Sequence, residues 1–268
     1  VTGVQTCALP IFPLSNSDLN FLRKRQLLDT VNLAFDRYSQ ILIQQLSRGE
    51  PLTEFQQDWI KTHDKPEILE QGKIGHFETL ITQYQIPKTL NKTSSFDKEL
   101  YLILGKINEG IRLDAIDLAY LKDNHLLERG TKLYITYYQL EAQFDEQEYA
   151  IHKNPWKIPS ISSNWRKAEK PKNALSATQL INLESLKEKK LQSAILTTQG
   201  GAWRDLGELN KAEKCAKEAI TFQPSSHHPY TLMGAICYDR HEYFEGERWF
   251  TEAIKRGASL QAIDIEIE

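Results

Sequence analysis

Cysteine, methionine and long apolar runs are all scarce in this chain. Its 268 residues contain three cysteines and one methionine. Cys7, Cys215 and Cys237 form no CxxC pair, which excludes a zinc ribbon or a thioredoxin-type motif and leaves too few thiols for a disulfide framework. That usage fits a reducing, cytoplasmic setting. No apolar run approaches the ~18 residues of a membrane-crossing helix, so no membrane partner is expected. Gly 13 and Pro 10 are too few for a collagen-like or low-complexity chain. A formal net charge of -3 excludes nucleic-acid coating through overall charge.

Catalytic signatures are missing as well. Leu104-Gly105-Lys106 lacks the glycine spacing of a phosphate loop, and no serine stands in GxSxG. His241-Glu242-Tyr243-Phe244-Glu245 carries Glu where a zinc-protease helix needs its second His. A mononuclear site from His241, Glu245 and Asp239 is conceivable, but these residues suit a solvated helix start better. His227-His228 before Pro229 fits an inter-helix turn. Cys215, among Ala212, Ala216 and Ala219, reads as a buried thiol on a packed helix. No cofactor, no metal and no enzymatic activity are expected.

What is present favours helix. The chain is 40% apolar and 26% charged, and Leu, Ile, Glu, Lys and Gln dominate, which points to an all-α protein of helical hairpins. The basic runs Arg23-Lys24-Arg25, Arg166 to Lys172 and Lys187 to Lys190 have acidic neighbours and read as solvated helix faces rather than phosphate-binding patches. Val1 to Ile11 (VTGVQTCALPI) matches one reading frame of a common short-read library primer, residue for residue, so residues 1–13 are expected to be an adapter-derived run and its junction at Phe12. On that reading the natural start, with any upstream domain, is not visible.

The remainder divides into a helical block over 14–153 and a second block over 154–268, separated by the Pro/Ser/Trp-rich stretch Asn154 to Ser163. The first block holds a pattern twice at an offset of 61 residues: Leu46 to Gly49, Leu52-Thr53 and Trp59-Ile60-Lys61, then Ile107 to Gly110, Leu113-Asp114 and Tyr120-Leu121-Lys122. Each Gly follows an apolar helical run as a left-handed cap would, and Thr53 or Asp114 stands where the next helix needs an N-cap. Thr53 with Gln56 matches a capping box. The similarity resumes, in a new register, at Leu69 to Gly72 and Leu127 to Gly130. One long helix is expected over Asp18 to Ser47, a loop over Ile86 to Ser95, and helix through the β-prone Tyr134 to Tyr138.

In the second block a shift of 34 residues aligns Gly200 with Gly234, Ala219-Ile220 with Ala253-Ile254, Ala216 with Phe250, Leu196 with Tyr230, and Leu209 with Tyr243. Gly200, Trp203, Gly207, Ala212, Ala216, Ala219 and Pro224, followed by Tyr230, Met233, Gly234, Phe250 and Ala253, resemble the tetratricopeptide repeat, which has this period. The small residues are where paired helices approach closely, and Pro224 cannot continue a helix. Gly246 in place of Ala and His241 in place of the inter-helix Gly make the second copy a looser match. Repeats are expected at about 158–183 (degenerate, with Trp165, Ala174 and Thr178 in the signature places), 193–226 and 227–260, with a terminal helix over 260–268. The helix pairs would be 191–206 with 209–222 and 229–238 with 243–256, with Trp203 between helices.

The resemblance implies a C-terminal tetratricopeptide-like α-solenoid whose concave surface binds a protein or peptide. It places Thr197, Gly201, Arg204, Asp205, His228, Thr231, Ala235, Tyr238 and Asp239 on that surface. The Lys/Asn clamp by which chaperone-binding members hold a terminal carboxylate is missing. Arg204 and Tyr238 make an acidic or aromatic peptide the first ligand to try, and His228 adds a group that titrates near neutrality. The expected function is a non-enzymatic adaptor of bacterial type. Alternatives are an accessory subunit of a nucleic-acid-processing complex, with nucleic acid the disfavoured partner, and the regulatory tail of an enzyme whose catalytic domain lies upstream. Deleting residues 1–11 should leave the thermal midpoint nearly unchanged in a calorimetric scan, and a large loss of stability would refute their adapter origin.

Overall fold

The computed structural model describes residues 15–87 and 96–267. The expectations for residues 1–13, and for the loop beyond Pro87, fall outside the described residues. Among the described residues the regular structure is entirely helical, with no strand. They form two compact units, one ending at Gly105 and the other beginning at Lys106.

The first unit contains α1 (Asn16–Lys24), α2 (Leu28–Ser47), α3 (Glu54–Thr62), α4 (Glu67–Gln83) and the start of α5 (Lys98–Asn108). The single long helix expected over Asp18 to Ser47 is two helices. Gln26 adopts φ 55°, and the Leu27 N–H closes the end of α1 on the Leu22 carbonyl at 2.9 Å. That six-residue closure ends a helix without Gly or Pro, so composition does not announce it. The core gathers Leu42, Trp59, Ile60 and Ile68. Helix α4 reaches α2 through Gly72 and Gly75: a Cβ on either would stand 2.5 Å from Leu46 Cβ or 2.0 Å from Ser47 Oγ.

The 61-residue repeat holds in local geometry. α3 is matched by α6 (Ala115–Asp123), and the left-handed Gly49 (φ 76°) by Gly110 (φ 69°). The Thr53–Gln56 capping box is matched by Asp114–Asp117, and left-handed Asp64 (φ 50°) by His125 (φ 54°). The repeat stops there. Gly72 lies inside α4, whereas Gly130 is a turn residue at φ 80° preceding Thr131, the N-cap of α7 (Lys132–His152).

Helix α7, which includes Tyr134 to Tyr138, packs against α8 (Lys157–Lys167) within the second unit. The stretch Asn154 to Ser163, expected as a separator between blocks, is therefore largely helical. Pro159 is tolerated because it falls in the first turn of α8, where an N–H has no intrahelical partner. Three hairpins follow: α8 with α9 (Pro171–Thr178), α10 (Lys189–Asp205) with α11 (Leu209–Phe222), and α12 (His228–Asp239) with α13 (Tyr243–Lys255). The first helices α8, α10 and α12 also touch in succession, and α12 touches α14 (Leu260–Ile267).

One turn joins each hairpin. Left-handed Glu169, Gly207 and His241 (φ 57°, 76° and 64°) each donate to the carbonyl three residues back, and the next residue donates to the carbonyl five back, at 2.8–2.9 Å. His241 and Glu169 hold without glycine a conformation that costs an L-residue about 1–2 kcal/mol. The hairpins close at Gly200 and Gly234: a Cβ there would lie 3.1 Å from the Ala212 carbonyl or 2.5 Å from the Phe250 ring. Gly246 replaces the signature Ala because the Tyr238 ring crosses it, 2.5 Å from where its Cβ would be. Trp165, Ala174, Thr178, Ala212, Ala216, Ala219, Phe250 and Ala253 are buried. Trp203 is half-buried between two clusters, with the Lys211 ammonium 4.4 Å from its ring centre.

Ala212 is fully buried at such a crossing, so Ala212→Leu should lower stability by about 1–3 kcal/mol, read as a shifted urea midpoint. A variant as stable as the parent would refute close packing there.

Candidate ligand-binding cavity

A cavity of about 780 Å³ opens in the second unit, faced by the first helices of the three hairpins. Helix α8 and the turn before it contribute Trp156, Asn164, Arg166 and Lys167; α10 contributes Lys190, Ser193 and Thr197; α12 contributes His228 and Thr231. Gln223 to His227 close one end, and Asp145 of α7 and Glu266 of α14 reach the wall. Hydroxyls and amides dominate the lining, which suits hydrogen bonding to an extended backbone.

The structure separates the residues expected to face a partner. Thr197, His228 and Thr231 line the cavity. Thr197 Oγ1 donates to the Ser193 carbonyl at 2.7 Å and Thr231 Oγ1 to the His227 carbonyl at 3.2 Å, each still exposing an oxygen that can accept. Arg204, Asp205 and Asp239 are instead tied into a repeated ion pair. Arg166 Nε and Nη2 grip the Asp205 carboxylate at 2.6 and 3.0 Å, and Arg204 grips Asp239 one hairpin later at the same two distances. Arg204 Nη1 also binds Glu266 at 2.7 Å, so the planar fork expected for a ligand is occupied by the chain's own carboxylates. Burial alone would lower the Arg204 pKa, but Asp239 and then Glu266 raise it, and the charge stays. Gly201 lies under Arg166, its absent Cβ 2.1 Å from Nη1, and Ala235 is fully buried. Tyr238 donates its hydroxyl to Glu247 and packs against Phe250.

Sequence reasoning passed over the cations of this cavity. Lys167 belongs to the Arg166–Lys172 run and Lys190 to the Lys187–Lys190 run, both read as solvated faces. Their one available signal was position, since each falls on the first helix of a hairpin. Trp156 is 38% exposed rather than core, and the Lys190 ammonium sits 5.8 Å from its ring centre.

Burial pushes the Cys215 thiol up to about 11, away from a nucleophilic thiolate. Asp239 is held by Arg204, Glu245 by Arg248, and His241 Nδ1 lies 2.9 Å from the Tyr243 hydroxyl. Among the described residues no group of three His, Cys, Asp or Glu side chains could hold a metal, and no helix is long and apolar enough to cross a membrane.

His227 and His228 meet at the end of the cavity with ring centres 3.9 Å apart and ring planes tilted by 41°. Burial, then the charge of His227, lowers the His228 pKa. The unfolded chain therefore takes up a proton near pH 6.5 that folded His228 resists. Its contribution to stability is whole above that pH and is lost as pH falls through the folded value. Glu148, Glu213 and Glu252 have lowered pKa values and stay ionised across this window. The drop in thermal midpoint from pH 7.5 to 5.5 should accordingly be smaller in His228→Gln than in the parent; equal drops would contradict a lowered His228 pKa.

Comparison with protein-family models, curated proteins and solved structures finds no match to this chain.

Proposed function

We propose that residues 154–268 form a tetratricopeptide-like array and act as a non-enzymatic scaffold that holds a peptide, or an extended segment of a partner protein, in the cavity. The observation that carries this reading is that one polar cavity is faced by equivalent helices of successive hairpins. The 34-residue period supports it: α10 and α12 end at Asp205 and Asp239, α11 and α13 begin at Leu209 and Tyr243, and the left-handed turns fall at Gly207 and His241. Such arrays present the first helix of each unit to a ligand, and each added unit lengthens the surface. Thr197, His228 and Thr231 are the ligand-facing residues in this reading, while Arg204, Asp205 and Asp239 hold the array together.

Peptides of twelve residues selected by display against the full chain should bind at least tenfold more weakly to Thr197→Trp and Thr231→Trp, which fill the cavity. Phe55→Ala, a change to an exposed residue of the first unit, should have no effect. Selected peptides that bind the two tryptophan variants as tightly as the parent would place the function elsewhere.

A further inference from the structure

We infer that the ligand of this cavity is an acidic segment, with two carboxylates about five residues apart that are met by Lys167 and Lys190. The inference rests on the scaffold reading above and adds the chemistry of the ligand. It follows from pairing the charges on the cavity wall.

Asp145 accepts from Lys157 at 2.8 Å and from Asn164 at 3.1 Å, Arg166 holds Asp205, and Glu266 is held by Arg204. Lys167 and Lys190 remain. Neither has a carboxylate of the described residues within ion-pairing distance; each ammonium faces a ring, Tyr138 at 4.5 Å and Trp156 at 5.8 Å. Lys167 is an exposed side chain whose pKa is lowered, by partial desolvation of its ammonium first and by the adjacent Arg166 charge second. The cavity wall therefore carries two lysines without a direct ion-pair partner among the described residues; the Glu188 carboxylate, two residues before Lys190, accepts from the Trp156 indole N–H at 3.1 Å.

Their spacing sets the pattern. Lys190 lies over Trp156, at the start of α8, and Lys167 ends the same helix. Eleven residues at ~1.5 Å per residue separate the two ends by about 16 Å. An extended chain rises roughly 3.3 Å per residue, so about five residues bridge that distance. Hydroxyls of Thr197 and Thr231 lie on the neighbouring helices for the backbone between. Positive charge focused in a concave site also speeds capture of an anionic partner, an effect that salt removes.

The test reads the composition of twelve-residue peptides selected by display on the full chain. Asp or Glu should be enriched at two positions about five apart, and binding should weaken at least tenfold between 0.05 and 0.5 M salt. Lys167→Glu with Lys190→Glu should abolish the acidic preference and select basic peptides, with the thermal midpoint confirming the fold. Acidic enrichment that survives both substitutions, or peptides without acidic excess that Thr231→Trp still blocks, would overturn the charge inference and leave the scaffold reading standing. Selection that yields no peptide, or peptides indifferent to Thr231→Trp, would overturn both. A twelve-nucleotide single strand that displaces the acidic peptides at equal concentration would assign the two lysines to phosphates and overturn the inference in favour of nucleic acid.

Discussion

The second unit depends on how closely the two helices of each hairpin can approach. Gly200 and Gly234 sit where any side chain would strike the opposite helix, and Ala212, Ala216, Ala219 and Ala253 line the same crossings with no exposed surface. Contact at this range brings many weakly attracting atom pairs together while leaving no void. It also fixes rotation, because only one face of each helix is small enough. Once that face is turned inward, the flanking face of α10 and α12, which carries Thr197 and Thr231, turns toward the cavity. Tyr238 shows the constraint from the other side. A ring in the place that Arg204 holds one hairpin earlier is accommodated because Gly246 gives up even its Cβ.

Successive hairpins are joined by a different device. Arg166 to Asp205 and Arg204 to Asp239 are two-toothed guanidinium–carboxylate contacts of matching geometry, each linking the last turn of one first helix to the last turn of the next. A fork of this kind has one favoured orientation and so carries angular information that an ammonium lacks. The same contacts withdraw four charged residues from any ligand. Lys167 and Lys190, which have no ion-pair partner among the described residues, line the same cavity.

The hairpins of the second unit were legible in the sequence because small residues at period 34 have one physical cause, and helix ends at Asp205, Leu209, Asp239 and Tyr243 follow from it. Capping residues were equally legible, since Thr53 and Asp114 act within three residues of themselves. Features set by distant groups were not. The break at Gln26 has no local breaker, and the helical start of α8 reverses the usual meaning of Pro159. The residues expected to face a partner divided along the same line. Thr197, His228 and Thr231 could be placed from repeat position alone, but the loss of Arg204, Asp205 and Asp239 to one another depends on contacts 35 to 39 residues apart along the chain. That Lys167 and Lys190 line the cavity without an ion-pair partner emerges only after the ion pairs of its wall have been assigned.

Arg204 joins these levels. Besides Asp239 and the Glu266 carboxylate, its Nη2 reaches the Glu266 carbonyl at 3.1 Å, while Arg129 Nη1 reaches the Ile265 carbonyl at 2.9 Å. Two guanidinium groups thus satisfy carbonyls that the last turn of α14 cannot pair within the helix, and their positive charge faces the negative end of the helix dipole. A helix of eight residues with Ile263 as its buried anchor has little intrinsic stability. It is held where it is by the same side chain that ties α10 to α12. The position of Glu266 at the cavity wall is therefore coupled to the stacking of the hairpins through one guanidinium group.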